Sequence, residues 1–101
     1  MTNNEFKIDF TEHSLEQFMK LKNDPSSKKV AKAIVKSIGF MTTNLRHPSL
    51  HTHKYDDLVG PNGEEIFESY AQNKTPGAYR IFWFYGPGKK RITILDISPH
   101  P

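Results

Sequence analysis

Cysteine is absent from all 101 residues. That excludes a disulfide scaffold, a thiol nucleophile and every metal site built on thiolates. No apolar run approaches the roughly 20 residues a helix needs to span a bilayer. The opening MTNNEFKIDF lacks the apolar core of a secretory signal, so a cytoplasmic chain that avoids membranes is expected. Internal repeats, low-complexity stretches and linkers are also missing, and one domain over 1–101 is the expectation. With 36% hydrophobic and 25% charged residues, the composition fits a folded domain and not a disordered tail.

Acidic residues are missing locally. None lies between Pro25 and Tyr55, whereas Lys28, Lys29, Lys32, Lys36, Arg46 and Lys54 all fall in that interval. Residues 1–50 carry eight Lys/Arg against five Asp/Glu, and the second half carries six of each. A field of one sign suits an anionic partner such as nucleic acid or an acidic protein. The alternative is a lysine-rich helix face that only meets solvent.

The elements follow from periodicity. Phe6, Ile8 and Phe10 alternate with Lys7 and Asp9, the pattern of a strand with one buried face. Ser14, paired with Gln17 three residues on, can cap a first helix over Leu15–Lys22 whose stripe is Leu15, Phe18, Met19 and Lys22. Asp24-Pro25 stops it, and Ser26 or Ser27 opens a second helix to about Leu45. There Val30, Ala31, Ile34, Val35, Ile38, Met41 and Leu45 share one face, and Lys28, Lys29, Lys32 and Lys36 gather opposite. A loop with Pro48 follows, then strands over Ile66–Ala71, Ala78–Tyr85 and Arg91–Ile97, joined by two turn-rich connections. The order β-α-α-β-β-β predicts an α+β domain, a helical hairpin packed on one face of a small, mainly antiparallel sheet.

This order resembles the RelE/ParE superfamily of bacterial toxins from type II toxin–antitoxin pairs. The resembling pieces are the basic amphipathic second helix, the loop Arg46-His-Pro-Ser-Leu50, and His53-Lys-Tyr-Asp-Asp-Leu-Val-Gly60. To these add Tyr79-Arg-Ile-Phe-Trp-Phe-Tyr85, Ile92-Thr-Ile-Leu-Asp-Ile97 and a terminal histidine. The resemblance implies a domain that binds a cognate antitoxin. RelE-like members cut mRNA, usually in the ribosomal A site, and ParE-like members inhibit DNA gyrase.

Metal-free RNA cleavage requires a base for the 2′-hydroxyl proton, a cation for the phosphorane and an acid for the departing 5′-oxygen. The products are a cyclic 2′,3′-phosphate and a 5′-hydroxyl. Arg80 is the candidate cation, because a guanidinium stays charged and meets two phosphate oxygens at once. Strand parity puts Tyr79, Ile81, Trp83 and Tyr85 on one face and Arg80, Phe82 and Phe84 on the other. If the first set packs under the helices, Arg80 lies on the open face, where the family's active site is. It could instead pair with Glu68 or Glu65. His100 resembles the terminal histidine that serves some RelE-like nucleases as general acid, but Ser98-Pro-His-Pro101 departs from the usual tail and leaves an inert terminus as the alternative.

His51 and His53 stand where family nucleases carry a Glu or lysines, and either could be the base, with Lys54 and Arg91 as phosphate contacts. They could equally be loop histidines with no task, or zinc ligands with His47 or Asp56 as a third donor. The scheme needs no metal and no cofactor. Phe82 and Phe84 could stack on splayed bases, with Tyr55 and Tyr70 as further aromatic candidates. The leading reading is thus a metal-independent mRNA endonuclease acting on the ribosome, with Lys28, Lys29, Lys32 and Lys36 steering RNA. The alternatives are a ParE-like gyrase inhibitor and a non-catalytic RNA- or protein-binding relative. Self-association is compatible with all three.

Overall fold

A computed structural model describes residues 5–100. Its elements are β1 (Lys7–Phe10), α1 (Glu12–Asn23), α2 (Lys28–Thr43), β2 (His53–Val59), β3 (Glu65–Tyr70), β4 (Tyr79–Tyr85) and β5 (Arg91–Pro99). Single 3₁₀ turns, Pro25–Ser27 and Pro48–Leu50, precede α2 and β2. The strands form one sheet in the order β1-β5-β4-β3-β2, with β1 parallel to β5 and the other pairs antiparallel. This is the expected α+β arrangement with one more strand.

The additional strand is β2, which the sequence presents as a polar loop. Only Tyr55 among its seven residues escapes full exposure. An edge strand needs neither hydrophobic alternation nor a buried face, and charges along it discourage pairing with other chains. Its histidine, lysine and two aspartates therefore hide the strand from a periodicity argument.

Strand β4 lies at the centre, and five consecutive residues, 80 to 84, are buried. On one side Ile81 and Trp83 join Ile34, Met41, Leu50, Ile92, Ile94 and Ile97 beneath the helices. On the other, Phe82 and Phe84 form a smaller cluster with Ile66, against which Tyr55 and Leu95 pack. The parity expected for β4 is the parity observed. Val30, Ile38 and Leu45 pack against the main core as the wheel of α2 requires, while Val35 stands outside it.

Helix α1 departs from its expected phase and cap. Thr11 is the N-cap, its side-chain oxygen accepting from the Ser14 amide at 3.1 Å. Leu15 and Met19 are exposed, whereas Phe18 and Leu21 pack inward. The reason is the open edge of β5. Beyond Ile94 that edge has no neighbouring strand, and buried backbone groups there need partners. Ser14 Oγ donates to the Ile94 carbonyl at 2.7 Å, and Gln17 Oε1 accepts from the Ile97 amide at 2.7 Å. Both residues close a sheet edge and do not form a capping box.

The end of β5 also differs from expectation. The strand runs through Pro99, and the His100 amide donates to the Ala78 carbonyl at 2.7 Å. Pro99 faces Tyr79, whose own carbonyl turns the other way to accept from Ala71 and Gln72. The missing N–H of Pro99 therefore faces the open edge, where proline is tolerated.

Two substitutions in α2 test this packing. Ile34 has no exposed surface and Val35 is 56% exposed. Ile34→Ala should cost about 2–5 kcal/mol in urea unfolding, and Val35→Ala should stay within about 0.5 kcal/mol. Equal losses would mean that α2 presents a different face to the sheet.

Candidate active site

The candidate residues gather on the side of the sheet without helices, at the end where β3 finishes and β4 begins. Glu68 faces His53 of β2 across one strand boundary, and Tyr70 faces Arg80 of β4 across the other. Alternation puts all four side chains on the same face. Arg80 and Glu68 are each only 7% exposed. A buried charge must be paired and hydrogen-bonded, and these are. Arg80 Nε lies 3.9 Å from Glu68 Oε2. Arg80 Nη1 donates to the Gln72 carbonyl at 2.5 Å, and its guanidinium carbon sits 3.5 Å from the centre of the Tyr70 ring. Arg80 is thus on the expected face, paired with Glu68 and roofed by Tyr70.

His53 completes the relay. Its Nε2 is 2.7 Å from Glu68 Oε1, and its Nδ1 is 2.7 Å from the His51 carbonyl. Both partners are acceptors, so the geometry fits a ring that donates from both nitrogens. Arg80 and the His53 imidazole thus share the two oxygens of one carboxylate. His51 adopts a left-handed conformation at φ 47°. Its ring packs 4.7 Å from that of Tyr70, and its Nε2 is 3.5 Å from Asn73 Nδ2. His100 is exposed, and its pairing with Ala78 puts it on the same face as Ser98 and Arg80.

Arg80, His53, His51 and His100 therefore come to one end of the sheet. Other sequence candidates lie elsewhere. Lys54 alternates to the opposite face from His53, and it pairs with Glu65 at 3.1 Å. The hydrogen bond that its ammonium donates to Glu65 raises its pKa above the usual lysine value. Arg91 starts β5, about 20 Å of strand away from the Arg80 partner Ser98, and pairs with Asp9 at 2.9 Å. Lys28, Lys29, Lys32 and Lys36 are exposed on α2, across the sheet from Arg80.

Phe82 and Phe84 are 9% and 4% exposed, and the Tyr55 ring sits edge-on to Phe82 at 4.9 Å. Their faces are spent on packing and are not offered to bases. The aromatic surface at this site is that of Tyr70, one of the further aromatic candidates of the sequence. Glu68 was seen only as a neutralising partner for Arg80. Its register opposite His53 was invisible without β2. The other donors considered for zinc are engaged elsewhere: the His47 ring stacks on Phe40 at 3.8 Å, and Asp56 lies 3.8 Å from Lys54.

The trio makes a coupling prediction. Arg80→Met and Glu68→Gln should each destabilise the chain, by about 3–5 kcal/mol for a fully broken buried pair. Combining them should recover at least about 1 kcal/mol relative to the sum. Simple additivity in urea titrations would show that the two charges do not support each other.

No family model and no curated protein matches the sequence. Solved structures do match in shape. A YoeB/ParE toxin from Agrobacterium tumefaciens superposes with a TM-score of 0.67 at 10% identity, covering 95% of this chain and 100% of that one. A YoeB dimer from Staphylococcus aureus gives 0.63 at 14% identity, covering 96% and 99%. An archaeal RelE–RelB complex from Pyrococcus horikoshii OT3 gives 0.61 at 14% identity, covering 94% of each chain. At these identities the likeness speaks for the fold, and over almost its whole length this chain has the RelE/ParE-like fold of the YoeB and RelE toxins.

Proposed function

We propose that this chain is the toxin of a type II toxin–antitoxin pair and cuts mRNA on the ribosome without a metal. The observation that supports this most directly is the cluster of Arg80, Glu68, His53, His51 and His100 at one end of the helix-free sheet face. The RelE chain from Pyrococcus horikoshii OT3 is described in complex with RelB, which supports an antitoxin as partner here. Among the described residues no helix is long and apolar enough to cross a membrane.

Each residue has a role in this reading. His53, with both ring nitrogens engaged by Glu68 and the His51 carbonyl, positions the carboxylate that pairs with Arg80 and makes no transfer itself. His51, whose ring nitrogens are only loosely engaged, takes the 2′-hydroxyl proton, and His100, on the same sheet face as Arg80, gives a proton to the departing 5′-oxygen. Arg80 supplies charge to the phosphorane from beneath Tyr70, in a setting where burial strengthens it. Tyr70 offers the aromatic surface on which a base can stack. Lys28, Lys29, Lys32 and Lys36 attract RNA from the far side of the domain. Lys54 and Arg91, each tied to a carboxylate, contribute less.

One observation favours a second reading. Arg80 is buried and partnered, and Phe82 and Phe84 are covered, as a structural network would require. A ParE-like inhibitor that binds gyrase without chemistry fits these facts.

Toeprinting of translating ribosomes with purified protein separates the two. New A-site stops are expected for the nuclease. Arg80→Lys, which keeps the charge but loses the planar fork, should slow single-turnover cleavage by about 10²–10³. EDTA should have no effect. Growth arrest without any cleavage, accompanied by gyrase poisoning, would transfer the function to the second reading.

The lysine face gives an independent test. Changing Lys28, Lys29, Lys32 and Lys36 to Gln should flatten the log–log salt dependence of RNA binding by about 0.7 per lost phosphate contact. The cleavage position should stay the same. An unchanged slope would leave these lysines to solubility alone.

A further inference from the structure

The helix side of the sheet is not fully covered. Helices α1 and α2 lie over β1, β5 and β4, and beside them a cavity of about 630 Å³ opens over β3 and the start of β2. That is within the roughly 300–1,000 Å³ of small-molecule sites. Its walls are aromatic: Phe6, Phe67 and Tyr85, with Phe6 5.9 Å and Phe67 5.4 Å from the Tyr85 ring. Tyr85 is 48% exposed, so a ring face remains to be covered. Among the described residues, no acidic one lines the cavity. Arg46 stands at its edge, exposed and with no ion-pair partner among the described residues. Lys90 lies 5.2 Å from the Phe6 ring centre. At its other end the cavity is lined by His51 and Thr52, next to the Tyr70 and His53 cluster.

We infer that this cavity is a nucleobase pocket for single-stranded RNA. A base stacks on Tyr85 between Phe6 and Phe67, and its flanking phosphate meets Arg46. The inference deepens the nuclease reading and rests on RNA being the ligand. An aromatic wall with an arginine at its rim and no carboxylate inside matches a flat, anionic guest. The wall also explains the position of His51. A strand of RNA seated here passes the edge of β2 at His51 and reaches the opposite face at His53 and Tyr70. The pocket would thus fix the register of the scissile phosphate without touching it.

Trp83, the single tryptophan of the chain, packs 5.0 Å from Phe67 and 4.9 Å from Tyr85 and reports on the pocket from beneath. The experiment titrates an uncleavable 2′-O-methyl RNA hexamer into the full chain and follows Trp83 fluorescence and affinity. Tyr85→Leu should weaken binding about 10-fold or more with an unchanged salt slope. Arg46→Gln, a change at an exposed side chain that leaves the fold alone, should reduce the slope by about 0.7, and Arg46→Lys should restore it. RNA binding that persists unchanged in both Tyr85→Leu and Arg46→Gln overturns the pocket whatever happens to cleavage. Binding that follows the expected pattern while the wild type cuts nothing supports the pocket and counts against the nuclease reading alone.

Discussion

The burial of β4 on both faces is the constraint on which the rest depends. A central strand with five buried residues in succession must satisfy two layers at once. Ile81 and Trp83 take the helical layer, and the alternate residues have to be covered by the sheet's own periphery. Phe82 and Phe84 achieve this with Ile66 and Tyr55. Arg80 cannot be covered in the same way, because a buried guanidinium left unpaired would be strongly destabilising. Its neighbours on β3 supply the remedy, Glu68 as counter-charge and Tyr70 as a flat lid. Once Glu68 is committed there, its second oxygen is aimed at the next strand out, where His53 waits. The position of a polar edge strand is thus linked through two ion pairs to the most buried strand of the sheet.

Legibility in the sequence followed the same division. Wherever burial was one-sided and repeated, the pattern was readable. The inward face of α2 and the parity of β4 came directly from spacing, and Arg80 was placed on its correct side. The phase of α1 was not readable, because Ser14 and Gln17 are held by the carbonyl and amide of a strand some 80 positions away, and hydropathy ranks Leu15 and Met19 above them. The strand at His53–Val59 escaped for the opposite reason, since a charged edge carries no apolar signal. Pro99 fits within β5 because its nitrogen, which has no N–H, faces the unpaired edge of that strand.

The candidate site was legible in residue type and not in connection. The arginine and the histidines could be named as candidates, and Glu68 as a possible partner of Arg80. That Glu68 joins Arg80 to His53 depends on the pairing of β2 with β3, a tertiary fact. Burial of Arg80 likewise follows from Tyr70 lying over it, which composition cannot reveal. The separation of the basic helix face from the arginine is a consequence of parity too. The same alternation that hides Ile81 and Trp83 under α2 sends Arg80 away from the α2 lysines, so the basic helix face and the buried arginine occupy different sides of the domain.

His51 is where those sides meet. Its left-handed backbone, uncommon for a residue with a side chain, turns the chain from the Pro48–Leu50 helical turn into β2. The turn aims its carbonyl at His53 and its ring at Tyr70, while the same residue lines the cavity on the helix side. Glycine would adopt that backbone with less strain, but it would remove the ring that touches Tyr70 and the cavity wall at once. An ordinary extended residue would keep a side chain and lose the turn, and His53 would then lose the carbonyl that orients its Nδ1. The strained conformation is therefore maintained by contacts on both faces. Through its carbonyl, and not its ring, the same residue orients His53, which shares Glu68 with Arg80.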